Sequence, residues 1–158
     1  MESDLGREVG LSTSDERIEG FRRAHADHGV ELDETLILPG RFQIDDGYAL
    51  TKRLLAERDD VTAIFAGTDM VAIGVLKALR ERGIRVPEDM SVVGFDDIPI
   101  AAELTPALTT VHVPHEQLGR EAVRLALRRS ENAATDQIVL GTHIVVRDSV
   151  APPRRQRS

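Results

Sequence analysis

The chain has no cysteine and no tryptophan, and its 158 residues include one tyrosine and four phenylalanines. Without thiols there are no disulfides, no thiolate nucleophile and no cysteine zinc centre. Aromatic content of 3% argues against a surface that stacks nucleic-acid bases. Basic charge is also short: 20 Lys and Arg against 27 Asp and Glu leave a net charge of -7. A phosphate-gripping face needs the opposite balance, so the chain is a poor DNA binder by itself. No apolar run approaches membrane-spanning length. The opening MESDLGREVG has no apolar signal-peptide region. The expected location is therefore cytoplasmic, with no membrane partner.

Catalytic motifs are missing too. There is no P-loop, no G-x-G-x-x-G and no G-x-S-x-G elbow, so nucleotide binding and serine hydrolysis have no motif to rest on. Among the five histidines, His25 and His28 share a helical face, and His112 and His115 flank Pro114. Neither pair has a third ligand at a recognisable spacing. HEQLG at 115–119 lacks the second His of the zinc-protease motif. No metal, cofactor or enzyme activity is expected.

What is present describes an ordinary globular chain, 41% hydrophobic and 30% charged, long enough for one domain with a real core. Residues 1–10 are polar and patternless and are expected to fray. STSDE at 12–16 opens a helix, with Thr13 and Glu16 placed as a capping box and Ser14 as the competing cap. Ile18, Phe21 and His25 share one face, and Gly29 suits the stop. TLIL at 35–38 reads as a short strand. Asp45 and Asp46 open a second helix with Leu50, Leu54 and Leu55 inward. VTAIFA at 61–66 reads as a buried strand and residues 70–82 as a third helix, apolar nearly all round and so covered on both sides. SVVGF at 91–95 reads as a buried strand of a parallel sheet, and a second strand follows the Pro-marked loop. Residues 115–129 form a fourth helix with Leu118, Ala122, Leu125 and Ala126 inward. Residues 130–137 form a polar loop, residues 138–146 one or two strands, and residues 151–158 a disordered tail. Strands alternating with helices imply an α/β domain with a parallel sheet and right-handed crossovers.

The polar residues fall at informative places. Thr68 and Asp69 follow VTAIFA, Asp96 and Asp97 follow SVVGF, Arg17 lies near the first helix's start, and Phe42 lies in the loop before the second helix. Ligands of open α/β sheets sit outside the carboxyl ends of the strands. A guanidinium, a ring, a hydroxyl and carboxylates converging there suit a sugar or a similar polyol. The same residues serve equally as helix caps and surface ion pairs.

TDMVAIGVLKALRERGIRVPEDMSVVGFDDIPIAAELTPALTTVHVPHEQLGREAV resembles the LacI/GalR family of bacterial transcription regulators. STSDERIEGFRRA before it and HIVVRDSVAPP after it fit the same family in order and spacing, over about residues 11–153. The resemblance implies a doubly wound, periplasmic-binding-protein-like effector domain of two α/β subdomains with a cleft between them. Such domains bind a sugar or another small metabolite. Family members act as dimers or tetramers and bind operator DNA through an N-terminal helix-turn-helix. By resemblance, Arg17 grips the effector, Phe42 stacks on it, Thr68 stands where many members have Asn, Asp69 follows in the same motif, and Asp96 is the effector-binding carboxylate. Asp97 is left as the structural residue. The helix at 70–82 would lie at an isologous homodimer interface.

The departures from the family pattern are in the first part of the chain. MESDLGREVG stands where an apolar strand is expected, and no helix-turn-helix, hinge or first subdomain is present. The chain therefore resembles the second-subdomain part of the effector domain, over about residues 11–150. The isolated chain is expected to bind sugar weakly or not at all. The alternative function is a solute-binding protein of a sugar ABC transporter, which shares the fold. A sugar-modifying enzyme is the third reading; it would need an acid and a base paired across a pocket.

Overall fold

A computed structural model describes residues 12–127 and 137–153. The expectations for residues 1–10, for most of the loop at 130–137 and for residues 154–158 lie outside the described residues. The chain divides into two compact units, Met1–Arg41 and Phe42–Ser158.

The first unit holds α1 (Ser12–Asp27). Thr13 and Ser14 thus fall inside its first turn rather than at its cap. Phe21 and His25, one turn apart, stack with ring centroids 4.4 Å apart. Gly29, at φ 65°, supplies the left-handed stop. The strand expected at 35–38 does not form. Asp33 accepts hydrogen bonds from the Thr35 N–H and hydroxyl and starts a 3-10 turn at Glu34–Leu36. A short polar side chain offering the backbone a local partner competes with sheet pairing in this way.

The second unit is built from α2 (Ile44–Glu57), β1 (Ala63–Phe65), α3 (Asp69–Glu81), β2 (Ser91–Asp96), α4 (Ile100–Glu103), β3 (Thr109–His112), α5 (His115–Leu127) and β4 (His143–Val145). The sheet order is β1-β2-β3-β4. The first three strands are parallel and β4 joins antiparallel at the edge, so the sheet is mixed. Among the described residues the strand order does not reverse. The core is Ala66, Ala72, Val75, Leu79, Met90, Val92 and Leu108, between α3 and the sheet.

The helix pair α2/α3 packs closer than its apolar pattern suggests. A Cβ on Gly74 would lie 2.0 Å from the Ile44 carbonyl oxygen, and one on Gly47 would lie 2.2 Å from that of Val71. Two glycines, one on each helix, thus let the backbones touch, and the fully buried positions of α2 are Gly47 and Thr51 rather than its leucines, which are half-buried. On α3, Ile73 and Leu76 also stay half-buried, so the expected cover on both sides is incomplete.

Helix α5 departs furthest from expectation. It buries no residue, and Leu118 is 52% and Val123 59% exposed. Of its expected inward face, Leu118, Ala122 and Ala126 are exposed and Leu125 is half-buried. At the other end of the chain the expected disorder begins too early. Ser149 is fully buried, and its hydroxyl accepts from the Thr109 N–H and donates to the Val92 carbonyl. Ala151 exchanges two hydrogen bonds with the Ser91 hydroxyl. These bonds fasten residues 149–151 against β2 and β3.

Candidate functional site

The parallel register pairs Phe65 with Val93. Thr68 and Asp96, each three residues further on, therefore leave the sheet at the same carboxyl edge. His112 pairs with Asp96 one strand over. The crossovers of a parallel sheet gather loops at this edge, and here they gather the candidate residues of the second unit.

Backbone strain collects there as well. Among the described residues, three non-glycine positions have positive φ: Phe42 at 54°, Asp96 at 113° and Asp97 at 56°. Such conformations cost on the order of 1–3 kcal/mol each and persist only where surrounding contacts enforce them. Phe42 is held over Gly67, where an added Cβ would lie 3.0 Å from its ring. That places the aromatic beside the β1–α3 turn. Thr68 caps α3, its hydroxyl oxygen accepting from the Val71 N–H at 3.3 Å. A hydroxyl that accepts in this way still carries a proton to donate. Asp96 is half-buried at the end of β2. The structure thus brings Phe42, Thr68 and Asp96 into one unit along one edge. Arg17, half-buried on α1, belongs to the other unit.

Asp69 does not fit the role expected of it. Its side chain is fully buried. One carboxylate oxygen accepts from the Thr110 hydroxyl at 2.5 Å and the other from the Ile98 N–H at 2.9 Å. Gly94 makes room for it, since a Cβ there would lie 2.1 Å from Asp69 Oδ1. A carboxylate enclosed in this way holds β3 and the loop after β2 together and has no surface left for a ligand.

Asp97 makes more contacts than a turn cap requires. Arg147 donates to Oδ1 at 2.6 Å, and His112 Nδ1 lies 2.9 Å from Oδ2. Arg147 also donates to the Leu108 carbonyl, and His112 stacks on His143 with centroids 4.9 Å apart. Burial alone would push the Asp97 carboxyl up. The hydrogen bonds and charges of Arg147 and His112 outweigh it and hold the group below the usual carboxylate value. Sequence reasoning missed Arg147 and weighed His112 only as a metal ligand. The available signal was a lone arginine closing the β-branched run HIVV.

An open α/β sheet with strained and polar residues lined up at the carboxyl ends of its parallel strands is the plan of a small-molecule-binding domain. Comparison with known proteins narrows that class. The periplasmic binding protein-like domain family matches residues 5–150. The HTH-type transcriptional regulator CelR of Thermobifida fusca is 43% identical over 136 residues, which is 85% of this chain and 40% of that protein. The solved structure of a transcriptional regulator CelR–cellobiose complex superposes with a TM-score of 0.81 at 43% identity, over 85% of this chain and 42% of that one. A LacI family regulator from Enterococcus faecium with bound ribose gives 0.78 at 33% identity, over 87% of this chain and 52% of that one. The chain belongs to the periplasmic binding protein-like domain family, in the form carried by LacI-type transcriptional regulators. It spans about two fifths of the length of the curated relatives it matches.

Proposed function

We propose that this chain forms the effector-binding part of a LacI/GalR-type regulator, sensing a sugar or a related small metabolite to control operator binding in the cytoplasm. The observation that carries the reading is the coincidence of strain and polarity. Among the described residues, the three positive-φ non-glycine residues lie in the loop before α2 and at the end of β2, at the candidate site, which also holds the Thr68 hydroxyl. Phe42 supplies a face for the apolar side of a sugar ring, and Thr68 and Asp96 bind hydroxyls. The family resemblance assigns Arg17 to the effector as well. Two relatives crystallised with cellobiose and with ribose support a carbohydrate ligand. The ligand acts by favouring one closure of the domain over another, which shifts the placement of two DNA-binding heads in a homodimer. Operator contact belongs to a helix-turn-helix outside this chain, and the chain's acidic charge agrees with that division.

The homodimer reading has its own support. Ile73 and Leu76 of α3, with Ile84, Val86 and Leu104, line an open apolar groove rimmed by Lys77, Arg80, Glu88 and Glu103. Charges of both signs around an apolar centre make a surface that can pair with itself.

The test is a chimera in which this chain replaces the matching segment of the Thermobifida fusca CelR. Operator release is measured over a panel of mono- and disaccharides. Release by at least one sugar, abolished by Asp96→Asn, is the expected result. A chimera that binds operator but answers no sugar, or an Asp96→Asn variant with an unchanged response, would remove the reading.

A further inference from the structure

The bend that carries Asp96 is pinned from two sides by residues of the domain's own framework. Asp96 at φ 113° and Asp97 at φ 56° are consecutive strained residues at the end of β2. On one side the buried Asp69 accepts the Ile98 N–H at 2.9 Å. On the other, Asp97 accepts from Arg147 at 2.6 Å and meets His112 Nδ1 at 2.9 Å. The Asp97 and Arg147 side chains are 15% and 20% exposed, so solvent screens this pair weakly. Arg147 is itself fixed by the Leu108 carbonyl and by its own N–H on the Thr109 hydroxyl. His112 is braced by the His143 ring. Two adjacent left-handed aspartates would relax to extended backbone without such contacts.

We propose that Asp97 is a positioning residue of the effector site, holding Asp96 in its strained backbone conformation through Arg147 and His112 while Asp69 secures Ile98 on the other side. The consequence for ligand binding rests on the assignment of Asp96 above; the conformational role stands independently of it. Arg147 lies just past β4, so the clamp makes the orientation of Asp96 depend on how the chain's last segment docks on β3. A second carboxylate that orients the first lets one be spent on the ligand while the other keeps its place.

The experiment uses isotope-labelled chain and no ligand. Backbone carbon shifts and the HN–Hα coupling of Asp96 report its conformation, and hydrogen exchange of the Ile98 amide reports the bend. Asp97→Asn cannot accept from both partners at once. It should move the Asp96 signals toward extended or averaged values and speed Ile98 exchange at least about ten-fold, a loss of about 1.4 kcal/mol in local protection. The Val92 amide, bonded to Ser149 in the sheet, should keep its protection. Arg147→Lys, which retains charge but loses the fork, should shift the same signals less. It also serves if Asp97→Asn fails to fold.

Unchanged Asp96 signals in both variants, or protection lost equally at Val92 and Ile98, would overturn the proposal. The sugar response of the chimera separates this outcome from the functional reading. If Asp96→Asn leaves that response intact while the Asp96 signals move in Asp97→Asn, the clamp stands and only the effector role of Asp96 falls.

Discussion

Two neighbouring aspartates illustrate how much a residue's role depends on where its carboxylate ends up. Asp69 sits one position after Thr68 in a motif associated with effector binding, yet both its oxygens are engaged inside the domain. Asp69→Ala would leave the Thr110 hydroxyl and the Ile98 N–H without their partner in a buried space. Leaving a buried donor without its acceptor costs about 1–3 kcal/mol for each group, so urea denaturation should show an earlier midpoint. Gly94→Ala should fail similarly, because its Cβ would overlap Asp69 Oδ1. Asp97 gives a pH dependence of definite sign. Its carboxyl in the folded chain lies below the usual value, so the stabilisation it provides is complete above the unfolded value and is lost as pH falls through the folded one. Wild type and Asp97→Asn should therefore differ in denaturation midpoint at neutral pH and converge in strong acid. A gap that persisted at low pH would contradict this.

Among the elements, the α2/α3 pair depends on glycine rather than on leucine. Gly74→Val would place a branched side chain where the Ile44 carbonyl and the Tyr48 N–H now sit, 2.0 Å and 2.6 Å from a Cβ. Overpacking of this kind costs about 1–3 kcal/mol, and backbone neighbours leave little room to yield. A lower midpoint with a loss of far-UV helix signal is expected. Helix α5 shows the opposite case. Its pattern marks Leu118, Ala122, Leu125 and Ala126 as inward, yet Leu118, Ala122 and Ala126 are exposed, as are Val123, Ile144 of β4 and Val146 beside it. The isolated chain should bind the dye ANS, and Leu118→Lys with Val123→Glu should reduce the signal without lowering the midpoint. The periodicity of α5 marks an apolar face; whether and by what it is covered is not a property of that periodicity. The strand expected at 35–38 failed for a related reason. Its residues have strand-like composition, but Asp33 supplies a local hydrogen-bond partner and a 3-10 turn forms instead.

At the scale of the whole molecule, the chain spans about two fifths of its curated relatives. Calorimetry of the isolated chain over a sugar panel should find weak or no binding, and micromolar affinity would contradict this. The groove beside α3 makes a separate prediction. On the homodimer proposal, Leu76→Asp should shift the sedimentation coefficient from dimer to monomer; Leu76 also packs against the core, so an unchanged far-UV spectrum must accompany the shift.

Hydrophobic period and turn chemistry are local properties, and they were enough to determine α1, α2, α3, the three parallel strands, the left-handed stop at Gly29 and an α/β sheet. A long ordered string of family residues determined the class of protein. The contacts between distant segments were decided only in three dimensions. Asp69 meets Thr110 from 41 positions away, and Asp97 meets Arg147 from 50. Which of the three acidic side chains Asp69, Asp96 and Asp97 is enclosed, which is clamped and which lies at the edge depends on how β3 and the last segment pack beside β2. No local pattern encodes that, because a carboxylate has the same sequence signature whether it faces water, a ligand or a buried arginine. The tertiary structure engaged Asp69 and Asp97 with the framework and left Asp96 half-buried at the carboxyl edge of the sheet.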